Sequence, residues 1–136
     1  MNVILVHYWL NSMRGGEKVL EQMIDLFPDT KIIGVEPEGA MGMSESLKLG
    51  KPLEHVNINS IADSLSAPLH MEYSFNIAKS VIDEMVTVSD DQMKEYMLFA
   101  FNNLKLMLEP ACIAGLAAIK YKLHKQLKNK NTLVIL

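Results

Sequence analysis

Apolar residues recur along this chain in two alternating patterns, short continuous runs and longer stretches with three- and four-residue spacing. The run from Val3 to Tyr8 and the segment TKIIGVEP at 30–37 predict strands buried on both faces. Between them, the apolar spacing from Val19 to Phe27 predicts a helix that ends at Pro28. A strand, a helix and a second strand in this order predict a right-handed crossover between parallel strands.

The same alternation continues to the last residue. Ser89 followed by Gln92 forms a capping-box pattern that predicts the start of a helix, and Pro110 suits the first position of another. The stretch 53–65 is left open between strand and loop. The remaining predicted elements are helices over 41–49 (ended by Gly50), 73–82, 89–106 and 110–128, and strands over 85–88 and 132–136.

Strands that alternate with helices predict an α/β fold. We expect a three-layer arrangement, a mostly parallel sheet of about four strands flanked by helices, as in half of a Rossmann-like domain. At 136 residues the whole chain, 1–136, is expected to form a single domain.

Charge and composition narrow the class of protein. A net charge of −3 gives no basic surface for phosphate backbones, so we expect no nucleic-acid partner. The lysines from Lys120 to Lys130 predict the solvated face of the last helix. No apolar run has the length of a membrane span, and a single cysteine, Cys112, suits a reducing compartment. The protein is therefore expected to be soluble and cytoplasmic, with no membrane partner.

The adjacent glycines Gly15 and Gly16 lie where the first predicted strand leads into the first helix. Backbone N–H groups without neighbouring Cβ atoms can approach an oxyanion, and the helix dipole favours negative charge there. The stretch is neither GxGxxG nor a P-loop, so a tight strand-to-helix turn is the competing interpretation. A phosphate-bearing small molecule is the ligand that this turn would suit.

Two resemblances bear on this turn. The segment HYWLNSMRGGEKVLEQMIDLFPD resembles the opening strand, loop and helix of bacterial family-four glycosyltransferases. This resemblance covers residues 1–29 and implies that Arg14, Gly15 and Gly16 face a nucleotide-sugar or its acceptor.

From Thr30 onward the chain resembles a different family. The segments TKIIGVEPEGA, SLKLGKP, SIADSL, VIDEMVTVSDDQM and LKLMLEPACIAGLAA are similar to the second half of the catalytic domain of threonine dehydratases and serine racemases. Those enzymes have the tryptophan-synthase-like fold and use pyridoxal phosphate. With residues 1–29 as a glycosyltransferase-like unit and residues 30–136 as a dehydratase-like half domain, the sequence looks like a chimera.

The dehydratase resemblance implies cofactor-binding positions. Its glycine-rich loop, which holds the cofactor phosphate, falls on Gly15 and Gly16, and its EPAG glutamate, near the cofactor ring, falls on Glu109. The family's Schiff-base lysine lies in an S-x-K-x-R-G context that none of the lysines here has, and no catalytic residue is assigned. The family's small polar partner of the pyridine nitrogen would follow TLVIL. We therefore expect the isolated chain to retain the cofactor poorly and to be inactive.

The serine racemase branch also implies a divalent cation, held at positions that fall on Glu36, Ala40 and Gly42. Because Gly42 has no carboxylate, the set lacks a ligand, and we expect no complete cation site. The alternative for Glu36 is a solvated carboxylate at the end of a strand. His70 is predicted at the surface.

Three functions remain open on these grounds. The first is a dehydratase-like half domain that acts only with a lysine from another chain. The second is a non-catalytic or designed folding module with weak phosphate binding, and the third is a remnant that binds a nucleotide-sugar. Apolar faces left uncovered by such a half domain predict a homo-oligomer.

Overall fold

A computed structural model describes residues 2–5 and 15–136, and in this part of the chain the sheet has four strands. All neighbouring strands are parallel, in the order β3-β2-β1-β4. The strands are β1 (Asn2–Leu5), β2 (Lys31–Pro37), β3 (Glu84–Val88) and β4 (Thr132–Val134). The predicted α/β class and parallel sheet are confirmed. The rest of the first predicted strand, residues 6–8, and Arg14 lie outside the described residues.

Five α-helices lie between or beside these strands in residues 15–136. They are α1 (Gly15–Leu26), α2 (Gly42–Leu49), α3 (Glu72–Val81), α4 (Asp90–Phe99) and α5 (Pro110–Ala118). The stretch 53–65 is loop, apart from a single 3₁₀ turn at Asp63–Leu65. The two last helices are shorter than predicted, because each passes into a wider π-helical turn, at Ala100–Leu104 and Ile119–Leu123.

The residues that the sequence predicts to begin or end helices do so in the structure. The Ser89 hydroxyl accepts a hydrogen bond from the Gln92 backbone, and the Gln92 side chain accepts one in return, so the capping box is complete. Pro110 occupies the first turn of α5. Gly50 ends α2 with φ 74°, a left-handed conformation that glycine adopts without strain.

Apolar side chains on successive residues of β2 face opposite sides of the sheet. Ile33, fully buried, packs in the main core with Met93 of α4 and Ile113 of α5. Ile32 instead contacts Met23 and its neighbours on α1. A third cluster, built around Met43, Phe75 and Ala78, joins α2 to α3 and shares Ile82 with the α1 cluster. Helices therefore cover both faces, which confirms the predicted three layers.

The topology gathers helix N-termini at one edge of the sheet. Because the strands are parallel, β1, β2 and β3 end at the same edge, and α1, α2 and α4 follow them in turn. The chain must return from α5 to the opposite edge to begin β4, so α5 also starts at this carboxyl edge. A hydrogen bond of 3.0 Å from Gln126, beyond α5, to Glu84 at the start of β3 agrees with that direction.

The lysines near the end of the chain are exposed, as predicted. The helical part ends at Leu123, however, so the later ones lie on turns rather than on one helix face. The exposed residues are Lys120, Lys122, Lys125, Lys128 and Lys130.

Candidate functional site at the carboxyl edge of the sheet

The glycine pair forms the first residues of α1. Helix α1 begins at Gly15, so the backbone N–H groups of Gly15 and Gly16 belong to the first turn, which has no partners within the helix. Neither residue has a Cβ that would keep an anion away. The turn therefore has the elements of an oxyanion site, at the carboxyl edge of the sheet.

Glu109 precedes α5 at the same edge. It is the N-cap residue, with φ −72° and ψ 162°, yet its side chain makes no capping hydrogen bond. The carboxylate is exposed, and among the residues that the structure describes its one polar contact is the Cys112 thiol, whose Sγ lies 3.9 Å from Oε1. Glu109 is therefore free to meet a ligand, and the fold brings it to the same edge as Gly15 and Gly16.

Cys112 is half-buried in the first turn of α5. Burial, and then the neighbouring Glu109, raise the pKa of its thiol. A thiol whose pKa is raised stays protonated near neutral pH and is a weak nucleophile. The structure thus agrees with a packing role for Cys112.

Glu36, expected as a solvated carboxylate if it binds no cation, is buried instead. It lies at the end of β2 with 8% of its surface exposed. Its carboxylate accepts hydrogen bonds from the Met43 N–H at 2.7 Å, the Ser44 N–H at 2.9 Å and the Ser44 hydroxyl at 2.7 Å. Burial raises the pKa of this carboxyl, against the effect of the Ser44 and Met43 hydrogen bonds. The interpretation of Glu36 as solvated is wrong, because it caps α2.

Ala40 and Gly42 lie between Glu36 and the body of α2. Ala40 is 2% exposed, and its N–H donates to the Pro37 carbonyl at 3.0 Å. A Cβ added to Gly42 would lie 2.7 Å from Nε2 of His70 and 2.7 Å from Cγ2 of Val56. The space beside Gly42 is therefore filled.

His70 was expected at the surface, and that prediction is wrong. Both of its ring nitrogens are buried, with no hydrogen-bond partner among the described residues, and burial lowers the pKa of the imidazole. The sequence gives one signal for this burial, the glycine at position 42, which leaves room for a ring. Across the described residues, no group of three or more histidine, cysteine or acidic side chains could hold a metal ion.

Three lysines of the described region form ion pairs. Lys31 contacts Glu84 at the start of β2 and β3, Lys94 contacts Asp91 within α4, and Lys122 contacts Glu38. Lys31 lies at the amino edge of the sheet, away from the glycine turn. None of the three is in the sequence context expected of a Schiff-base lysine.

Comparison with known proteins decides the family. The sequence profile described as "Pyridoxal-phosphate dependent enzyme" matches residues 13–136. The chain belongs to this family. The match begins inside the stretch that resembles glycosyltransferases, and it includes Gly15, Gly16 and α1. The glycosyltransferase resemblance of residues 1–29 stays a prediction.

Among curated relatives, phenylserine dehydratase of Ralstonia pickettii is 41% identical over 111 residues, which cover 82% of this chain and 34% of the relative. Threonine dehydratase 2 of Solanum lycopersicum is 36% identical and covers 79% of this chain, but only 18% of that protein is matched. The chain therefore spans about a third or less of these two relatives.

Solved structures of the family share the fold. The processed form of threonine deaminase isoform 2 from Solanum lycopersicum superimposes with a TM-score of 0.78 at 30% identity, over 97% of this chain and 38% of that one. Maize serine racemase gives a TM-score of 0.79 at 23% identity, over 97% and 41% of the two chains. No helix in the described ranges combines the length and apolar character needed to cross a bilayer.

Proposed function

We propose that this chain forms the cofactor-facing part of an ammonia-lyase for 3-hydroxy amino acids. The observation that carries the proposal is the 41% identity to phenylserine dehydratase. Other relatives act, by name, on threonine and on L-threo-3-hydroxyaspartate. Phenylserine, threonine and 3-hydroxyaspartate all carry a hydroxyl group on Cβ. The shared feature defines the proposed substrate class without choosing one amino acid.

The phosphate end of pyridoxal phosphate fits the residues present. Gly15 and Gly16 begin α1, lack Cβ atoms and offer N–H groups that have no acceptor within the helix, at its positive end. Glu109, exposed at the same edge, would meet the cofactor ring. When bound, the cofactor supplies an electron sink for bonds broken at Cα of the amino acid. The role of this chain is to bind and orient the cofactor.

The lysines of this chain do not fit the covalent attachment of the cofactor. None of the lysines lies in the S-x-K-x-R-G context, and the three lysines above are held in ion pairs. A helix terminus contributes about 0.3–2 kcal/mol to anion binding, whereas micromolar affinity needs about 8 kcal/mol. We therefore propose that the isolated chain is inactive and that activity requires a lysine supplied from elsewhere.

Turnover by the purified chain tests the proposal. With pyridoxal phosphate and threonine or phenylserine, keto-acid formation is expected to stay at the rate of the cofactor alone. Sustained keto-acid formation above that rate would show that a lysine within these residues does the chemistry, and the proposal would fail.

Calorimetry tests the phosphate site separately. Pyridoxal phosphate is expected to bind with a dissociation constant in the millimolar range or weaker, and pyridoxal, which lacks the phosphate, not measurably. Gly16→Asp adds a negative charge at the helix terminus and should abolish the binding. Ser80→Asp adds the same charge at the exposed end of α3 and should leave it unchanged. Equal binding of the two compounds would refute the assignment of Gly15 and Gly16.

Three further parts of the proposal concern the origin, the location and the assembly of the chain. Residues 1–29 are proposed as a substituted strand–turn–helix unit, which would make the sequence a chimera, and a cytoplasmic location is proposed from composition. A homo-oligomer is supported by large apolar side chains exposed at the end of α4 and in the residues that follow it. These are Leu98, Phe101, Leu104 and Met107.

A further inference from the structure

The carboxylate of Glu36 is a buried negative charge at the end of β2. A buried carboxylate is costly unless an opposite charge or hydrogen-bond donors compensate it. The resemblance to serine racemases implies a divalent cation as that compensation, with Glu36, the Ala40 carbonyl and residue 42 as ligands. The donors around Glu36 show whether such a cation fits this chain.

Helix α2 supplies the donors instead. Two backbone N–H groups and one hydroxyl, from Met43 and Ser44, reach the two carboxylate oxygens at 2.7–2.9 Å. An ionised carboxylate has about four acceptor positions, so most of them are already occupied. The N-terminus of a helix also carries a partial positive charge of roughly half a unit. These donors therefore offset part of the cost of burying the charge of Glu36, and they do so without an ion.

The third ligand position is closed as well. A carboxylate at residue 42 would start from a Cβ only 2.7 Å from His70 Nε2 and Val56 Cγ2. Real Cβ atoms do not approach other atoms so closely, so His70 or Val56 would have to move. A hard cation needs at least six oxygen ligands. Here the Glu36 carboxylate is already hydrogen-bonded, and there is no room for an acidic side chain at residue 42.

We infer that the N-terminus of α2 takes the place of the divalent cation as the counter-charge of Glu36, and that this cation-independent joint fastens α2 to β2. The joint comprises Glu36, Met43 and Ser44, with Gly42 and His70 filling the adjacent space. This inference does not depend on the proposed function, since it concerns only how the end of β2 is held.

Thermal unfolding of the full chain tests it. The melting temperature is expected to be the same, to within about 1 °C, in EDTA and in millimolar Mg²⁺, Ca²⁺ or Mn²⁺. Glu36→Ala should lower it by about 5 °C or more, because two buried N–H groups lose their acceptors. That loss should be equal in EDTA and in each cation. Glu38→Ala, two residues along at an exposed ion pair, is the matched control and should change the melting temperature little.

Two variants keep the test decisive if Glu36→Ala does not fold. Ser44→Ala removes only the hydroxyl and one hydrogen bond, so it should lower the melting temperature by less, again equally with and without cations. Gly42→Asp restores the acid of the cation site but should destabilise the chain, and Mn²⁺ should not recover the loss. A cation-dependent rise in the melting temperature of the unchanged chain, or recovery of Gly42→Asp by a cation, would overturn the inference.

Discussion

Replacing Ser89 with alanine removes one half of a reciprocal pair of hydrogen bonds at the start of α4. In the structure the Gln92 N–H donates to the Ser89 hydroxyl at 3.2 Å, and the Ser89 N–H donates to the Gln92 side-chain oxygen at 3.1 Å. Loss of an N-cap hydroxyl costs about 1 kcal/mol of folding free energy. For a chain of 136 residues that corresponds to a fall in melting temperature of about 3–4 °C.

Urea unfolding followed by far-UV circular dichroism measures the change. Ser80→Ala is the matched control, because its hydroxyl is exposed on α3 and donates only to the Ile77 carbonyl within the same helix. The control should change the free energy of unfolding by less than about 0.5 kcal/mol. If Ser89→Ala costs no more than Ser80→Ala, the capping box does not stabilise α4 and the reasoning from the pattern is refuted.

Further variants address the core, the charges and the assembly. Ile113→Ala, at a fully buried position in the main core, should lower the free energy of unfolding by about 2–5 kcal/mol in the same assay, and a loss under about 1 kcal/mol would contradict the packing described. Hydrogen bonds from Lys31 and Gln126 lower the pKa of Glu84, so its contribution is present above its unfolded pKa of about 4.5 and is lost as the pH falls through the folded value. The side chains of the Lys31–Glu84 ion pair are about one third exposed, so Glu84→Gln should lower the free energy of unfolding by less than about 1 kcal/mol at neutral pH. A larger loss would contradict the description of this pair as one screened by solvent. Burial lowers the pKa of His70, so on acidification the unfolded chain binds a proton at this residue before the folded chain does. The free energy of unfolding should therefore decline as the pH falls below 6.5. His70→Leu should remove that part of the acid sensitivity, and an unchanged pH profile of this variant would refute the burial of His70. Light scattering should give the mass of an oligomer for the unchanged chain and a smaller mass for Phe101→Asp, whereas a monomeric unchanged chain would contradict the proposed assembly.

Elements set by neighbours in sequence were predicted well. The helix start at Ser89, the first-turn position of Pro110 and the left-handed end at Gly50 each depend on residues within one turn, and all three occur in the structure. The alternation of strands and helices gave the α/β class for the same reason, since periodicity reports which faces are buried.

Features that depend on distant backbone were missed. Glu36 was expected in solvent unless a cation bound it, because its real partners are N–H groups of a helix terminus that apolar periodicity does not reveal. His70 was expected at the surface, but it fills the space beside Gly42, 28 positions earlier. The last helices were predicted too long, since the widening at Ala100–Leu104 and Ile119–Leu123 is a change in backbone hydrogen bonding that apolar spacing does not reveal.

The central proposal is that this member of the pyridoxal-phosphate family binds the cofactor phosphate at Gly15 and Gly16 but has no lysine that holds the cofactor covalently. Borohydride reduction in the presence of pyridoxal phosphate, followed by peptide mass spectrometry, tests it most directly, with pyridoxal as the control. The account predicts scattered, incomplete labelling of exposed lysines that is similar for both compounds. Complete labelling of one lysine by pyridoxal phosphate, and not by pyridoxal, would contradict it.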